Sequence, residues 1–438
     1  MAVRAKREDK RMNAKIIKSD NPQPLAVYTE AFDVGGLIFA AGQLPTDFKT
    51  GIPLEAKKDP NFPFYGSDIK KRTHYIMKNL ARTFEAAGGS LDHIVKAQVF
   101  LEDLRDFHAF DEVWKEYFKI PPARTTVGTT GLLVKDAQIE IDLIGYVPGK
   151  LKSQLIKSEN ARPIAHYTEA FTVGGLIFAA GQLPSDFKTG VPAEAKKDPN
   201  FPFYGSDIKK RTHYVMKNLA RTFEAAGSSL HHICKAQVFL EDMADHDAFQ
   251  EVWREYFKEP PPTTVVGTSG VETKGLLVKD AQIEIDLIGY IPGKIKARTV
   301  KTSNPKGAAS YTEAVVAGGL VFAEGALPTD YTSGIPAEAR KDPNFPFYGS
   351  DIKLRTRYVL NKLARTFEAA GSSLDHVVKA QVFLDDLNNF SAFDEVWKEF
   401  FKTPPARTTV ETSGLPVKDA MVAIDLIGYV PGEVALSG

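Results

Sequence analysis

The apolar positions of this chain follow two periods that alternate along it. Gly35 to Leu44 (GGLIFAAGQL) and Ala97 to Leu101 (AQVFL) are apolar runs of strand length, while Ile139, Ile141 and Leu143 alternate with Gln138, Glu140 and Asp142, as in a strand with one buried face. Between the first two, Ile69, Thr73, Ile76, Leu80 and Phe84 recur at steps of three or four. This spacing predicts a long amphipathic helix, which Ser67 and Asp68 can cap and Gly88 with Gly89 terminate. Phe107, Phe110, Val113, Trp114, Tyr117 and Phe118 predict a second helix, stopped by Pro121 and Pro122. The order is strands, helix, strand, helix, strand.

That order is written three times. The run DPNFPFYGSDIK begins at Asp59, Asp198 and Asp342, and Trp114, Trp253 and Trp397 recur at intervals of 139 and 144 residues. Units of this length are domains, because solenoid repeats span only about 20 to 50 residues. Pro148 with Gly149 and Pro292 with Gly293 break the pattern after GYVPGK and GYIPGK. They divide the chain into domains at 14–152, 153–296 and 297–438, preceded by a basic arm, 1–13, expected to be disordered. The fold class is α+β. Two helices cover one face of each sheet, so the other face needs a partner. Three sheets facing one another around a pseudo-threefold axis would supply it, giving a central β-barrel with helices outside and clefts between copies.

Composition narrows the chemistry. Lys+Arg and Asp+Glu both number 55, and a formal charge of zero argues against affinity gained by neutralising a phosphate backbone, so no nucleic-acid partner is expected. Cys234 is the single cysteine, which excludes an internal disulfide framework or a zinc site of several thiolates and fits a reducing, cytoplasmic setting. The basic start MAVRAKREDKRMNA leads into no apolar run, and no stretch approaches the roughly 18 apolar residues of a membrane span.

Taken together, the strings YTEAF, AAGQLPTDFKTG, AAGGSLDHIVKAQVFLEDL, PPARTTV and KDAQIEIDLIGY make each copy resemble a subunit of the Rid/YjgF family, the reactive-intermediate imine and enamine deaminases. Members are usually homotrimers of chorismate-mutase-like subunits with sites at their interfaces. The resemblance implies such a trimer written as one polypeptide, a monomer with intramolecular pseudo-threefold symmetry. It further implies hydrolysis of a C=N bond to a carbonyl and ammonia without metal or organic cofactor. The substrate would be a small molecule, an imine or enamine whose carboxylate is gripped by an arginine.

Carried over by position, that arginine is Arg124 and Arg407 in PPARTT, while the second copy reads PPPTTVVGTSG and has Thr263 there. A guanidinium presents parallel donors to a carboxylate in a geometry that neither lysine nor threonine reproduces, so one pocket is expected to be altered. Asp142, Asp286 and Asp425 in the IEID strand fall where the family usually has a glutamate and are the candidate proton-handling carboxylates; the competing reading is that they alternate with Ile and Leu because that face is wet or pairs with a lysine of a neighbouring copy. Tyr28, Tyr167 and Tyr311 match a pocket tyrosine. Gly42, Gly181 and Gly325 match a glycine whose backbone approaches the substrate. Thr126 and Thr409 stand where the family often has cysteine, so a hydroxyl there could order a water.

The third copy departs differently. It reads AEGAL where the others read AAGQL, so Glu324 replaces Ala41 and Ala180, and it has Ala423 where Glu140 and Glu284 stand. Glu324 is either an additional acid or base or a charge that repels a carboxylate and abolishes binding there, and in an apolar strand it needs a partner or water. The unequal pockets suggest specialisation toward a catabolic, conjugated substrate. The DPNFPFYGSD insertion reads as a lid or a plug of local packing. The rival functions are a non-catalytic small-ligand binding protein and the ribonuclease whose label the family also carries.

Overall fold

The computed structural model describes residues 14–22, 28–57, 61, 67–162, 165–196, 200, 206–269, 275–306, 311–340, 344 and 350–437. The basic arm, the extra residues before Gly275 and most of each DPNFPFYGSD segment lie outside them. Among the described residues no helix is long and apolar enough to cross a membrane.

In the first copy the elements are β1 (Ala14–Ile17), β2 (Ala31–Val34), β3 (Leu37–Ala40), α1 (Ser67–Ala86), β4 (Ile94–Leu101), α2 (Phe107–Tyr117), β5 (Ala123–Gly128) and β6 (Ile139–Tyr146). The second repeats them as β7 (Ser153–Ile156), β8 (Ala170–Val173), β9 (Leu176–Ala179), α3 (Ser206–Ala225), β10 (Ile233–Leu240), α4 (His246–Tyr256), β11 (Thr263–Gly267) and β12 (Ile283–Tyr290). The third has β13 (Ala297–Val300), β14 (Ala314–Ala317), β15 (Leu320–Ala323), α5 (Ser350–Ala369), β16 (Val377–Leu384), α6 (Phe390–Phe400), β17 (Ala406–Glu411) and β18 (Val422–Tyr429).

Each copy forms one six-stranded sheet, in the order β1-β2-β3-β6-β4-β5 for the first. The β4–β5 pair is parallel and the other pairs are antiparallel. The two helices are where periodicity puts them. Gly88, at φ +86°, ends the first because it adopts the left-handed conformation without a Cβ penalty. The strand β5 is not visible in the apolar pattern, since ARTTVG is polar over half its length, so Arg124 lies on a sheet edge and not merely beyond a helix stop.

Side-chain alternation then decides which face meets what. Ile139, Ile141 and Leu143 pack with α1 and α2 side chains such as Phe84, Phe110 and Trp114. The opposite faces of the three sheets meet, and Phe32, Phe39, Phe171, Phe178 and Phe322 share one apolar cluster drawn from all copies. The three sheets expected to face one another do so, but they are not joined into one closed barrel: among the described residues the hydrogen-bonded sheets are three separate ones. Their edges touch through isolated backbone bonds, Gly42 N–H to Arg407 C=O at 3.2 Å, Gly181 to Arg124 at 3.3 Å and Gly325 to Thr263 at 3.2 Å. After β3 the chain stays beside its own sheet, where Gln43 bridges Ile141.

These contacts order the copies cyclically: the first meets the second, the second the third, and the third the first. Polar groups close the same ring at the axis. Lys96 reaches Asp286 at 2.5 Å, Lys235 reaches Asp425 at 2.7 Å, and Lys379 reaches Asp142 at 2.6 Å, all buried. Gln98, Gln237 and Gln381 hydrogen-bond head to tail. Removing one partner of a buried pair strands the other charge. Asp286→Ala is therefore expected to destabilise the fold by about 3–5 kcal/mol, read as a lowered urea midpoint; an unchanged midpoint would show that the pair does not hold the copies together.

Candidate active site

The clefts form where β3 of one copy meets β5, β11 or β17 of the preceding one. Between the third and first copies, Tyr28, Gly42 and Glu140 face Arg407 and Thr409 across a cavity of about 440 Å³, walled by Phe48, Leu133 and Phe390. Each position has a local cause. Tyr28 is held by its neighbour Thr29, whose N–H bonds Pro405 C=O across the seam at 3.2 Å. Phe48 sits at φ +58°, a conformation costing an L-residue about 1–2 kcal/mol, and its ring meets Tyr28 edge-on at 6.4 Å. Gly42 is required because a Cβ there would sit well inside contact distance of Glu140 Oε1.

The arginine is built from two elements of one copy. Strand β17 carries Arg407, and α6 surrounds its guanidinium with Phe390, Phe393 and Trp397 at 5.3, 5.6 and 5.1 Å. Asp394 Oδ1 lies 2.9 Å from its Nη2. Nη1 and Nη2 are both buried without a hydrogen-bond partner, as is the hydroxyl of Thr409, so Asp394 holds this guanidinium as an ion pair. Burial pulls Arg407 below the usual arginine range, against Asp394, which holds it up.

The cleft between the first and second copies repeats this set. Arg124 lies among Phe107, Phe110 and Trp114, its Nη2 donates to Asp111 Oδ1 at 2.8 Å, and Thr168 N–H bonds Pro122 C=O across the seam at 3.1 Å. The charges of Tyr167 and Glu284 act on Arg124, and the Thr126 backbone hydrogen-bonds Glu284. Nη1 of Arg124, Oγ1 of Thr126 and Oε2 of Glu284 are again buried and unpartnered. The expected fork of two free donors is thus corrected in this cleft: Nη2 is taken by Asp111, and Nη1 is left for a ligand.

The candidate carboxylates need a correction. Asp142, Asp286 and Asp425 are not in the clefts; they are consumed by the axial lysines and by Thr408, Thr125 and Thr264, each hydroxyl 2.6 Å away. The reading that paired them with a neighbouring copy's lysine describes them. Glu140 and Glu284, two residues earlier on the same strand face, are the carboxylates the clefts hold. Burial first, then the charge of Asp142 or Asp286, pushes each up to about 8, which favours the protonated form over the carboxylate. The signal was in the sequence: Ala423 replaces this glutamate in one copy only, as Thr263 replaces the arginine in one copy only.

Both losses fall in one cleft, between the second and third copies. There Tyr311 and Gly325 face Thr263, and Gln250 on α4, at the position of Asp111, donates its amide to the Tyr311 hydroxyl. Glu324 is no free acid: it pairs with Lys362 at 2.9 Å, both buried. Lys362 also lies 4.8 Å from the Tyr331 ring centre. Burial would lower this lysine, but Glu324 and then Tyr331 hold it above its usual range. The three substituted residues, Glu324, Tyr331 and Lys362, stand where the first copy has Ala41, Phe48 and Asn79.

A ring of three α+β units, with a cavity of about 440 Å³ at the seam of the third and first, defines a trimeric architecture condensed into one chain. The chain belongs to the family described as Endoribonuclease L-PSP, whose model matches residues 18–147, 158–291 and 301–430. It is 37% identical over 136 residues to a RutC family protein of Pyrococcus horikoshii, an alignment covering 31% of this chain and 98% of that one. It is 32% identical over 124 residues to a 2-iminobutanoate/2-iminopropanoate deaminase of Dermatophagoides farinae, covering 28% of this chain and 88% of the relative. A crystal structure of chorismatase shares the fold, with a TM-score of 0.50 at 12% identity over 77% of this chain and 93% of that one.

Proposed function

We propose that the chain hydrolyses carboxylate-bearing imines at two of its three seams. The observation that carries this reading is the pairing, at both intact seams, of an Arg Nη1 that has no hydrogen-bond partner with a buried glutamate of the next copy, which at the seam of the third and first copies line one cavity. The named activity of the mite relative points to the same chemistry. Arg124 or Arg407 receives the substrate carboxylate, and the tyrosine ring lies along the conjugated plane. Glu284 or Glu140 donates its proton to the imine nitrogen, which makes the carbon electrophilic. A water held by the Thr126 or Thr409 hydroxyl adds to that carbon and returns a proton to the carboxylate. The carbinolamine then collapses, giving the carbonyl product and ammonia, with one water consumed and the glutamate restored.

The test is ammonia release from 2-iminopropanoate generated in place by an amino-acid oxidase. Release faster than the spontaneous rate is expected. A rate equal to the background, with 2-oxobutanoate still bound, would favour a ligand-binding protein instead.

A further inference from the structure

Asp111 and Asp394 take no part in the chemistry above, yet each is a buried carboxylate on the second helix of its copy. Each has two cationic partners. Asp111 accepts a hydrogen bond from Arg124 and meets Lys115 at 2.9 Å one helical turn away, while Asp394 is ion-paired with Arg407 and with Lys398, each at 2.9 Å. The lysines are half-exposed while the arginines are buried. Within the first copy the aromatic shell fixes the plane of the guanidinium, but rings alone do not choose which nitrogen turns toward the cavity. A carboxylate bonded to Nη2 does choose, because the planar fork then presents its remaining edge in one direction.

The second copy supplies the control. Where the arginine is replaced by Thr263, the aspartate is replaced by Gln250, although the flanking AF and EVW are retained. A buried aspartate without its arginine would be an uncompensated charge, whereas a neutral amide finds a partner in Tyr311. Asp and Arg are present together in two copies and absent together in the third. We infer that Asp111 and Asp394 are positioning residues that orient the guanidiniums of Arg124, through a hydrogen bond to Nη2, and of Arg407, through an ion pair, with the opposite edge toward the cleft.

The kinetic part of the test depends on the deaminase reading; the spectroscopic part does not. In guanidinium-detected NMR of the full chain, a locked arginine gives separate Nη resonances and a freely rotating one gives a single averaged resonance. Separate resonances are expected for Arg124 and Arg407 in the parent chain, assigned by their loss in Arg124→Lys and Arg407→Lys. They are expected to merge in Asp111→Ala/Asp394→Ala, and those of Arg124 to persist in Asp111→Asn/Asp394→Asn, because the amide oxygen at position 111 still accepts from its Nη2. Alongside, KM for 2-iminopropanoate is expected to rise about tenfold or more in the alanine variant, with kcat nearly unchanged, and to return toward the parent value in the asparagine variant. Separate resonances surviving in the alanine variant would overturn the positioning role. So would loss of the Arg124 resonances in the asparagine variant, since Asp111 would then act through its charge and not through its hydrogen bond. If the alanine variant does not fold, the asparagine variant decides by that criterion. Should the parent chain release no ammonia, the deaminase reading falls while the resonances still decide the role of the aspartates.

Discussion

Ammonia release is expected to fall to about half in Arg124→Ala and in Arg407→Ala, and to the spontaneous rate in the double variant, because two independent clefts each hold one arginine. The two arginines share their surroundings, an aromatic trio and an aspartate, and each faces the tyrosine and glutamate of the next copy. Neither cleft borrows a side chain from the other's set. The third seam is not expected to contribute, since Thr263, Gln250 and Ala423 replace the arginine, its aspartate and the glutamate. Lysine at position 124 or 407 is not expected to restore activity, because a point charge on a flexible stem cannot keep one donor on the aspartate and another in the cleft. Full activity in the double variant would remove the arginines from the mechanism. Complete loss from one single change would leave a single working cleft.

The second large effect concerns the glutamates. Glu140→Gln/Glu284→Gln is expected to lower kcat by roughly 10²–10⁴-fold, the usual contribution of a positioned general acid. In the parent chain, with both carboxyls at about 8, kcat/KM should fall as pH rises through that value and the acid is lost. The double variant should lack this limb. Stability moves with the same groups. Their folded pKa lies above the ordinary 4.5, so the folded state holds protons that the unfolded state has released between those values. The stabilisation is fully present below about 4.5 and is lost as pH rises to about 8. Thermal unfolding should therefore show the glutamine variant gaining stability relative to the parent at pH 8. A pH–rate profile unchanged by the substitution would sink the acid role.

Much of this arrangement was legible along the chain. The three copies, the helices ending at Gly88 and before Pro121, and the alternation of β6 all follow from backbone chemistry and from burial of one face, which local spacing records. What spacing cannot record is which of two side chains on the same strand face meets which neighbour. Glu140, Asp142 and Ile144 all point away from the helices of the first copy, yet one enters a cleft, one meets Lys379 and one joins the shared apolar cluster. The choice between Glu140 and Asp142 is made by another part of the chain, more than 200 residues away.

The sequence by itself determined that three like domains exist, that their uncovered faces must be buried, and that one arginine and one glutamate are missing. It did not determine whether those losses, carried by different copies, spoil two sites or one. Tertiary structure decided that. The copies join head to tail, each site takes its arginine from one copy and its glutamate from the next, and the ring of lysine–aspartate and glutamine contacts closes in that direction alone. Both losses therefore land in the same seam and leave the other two complete.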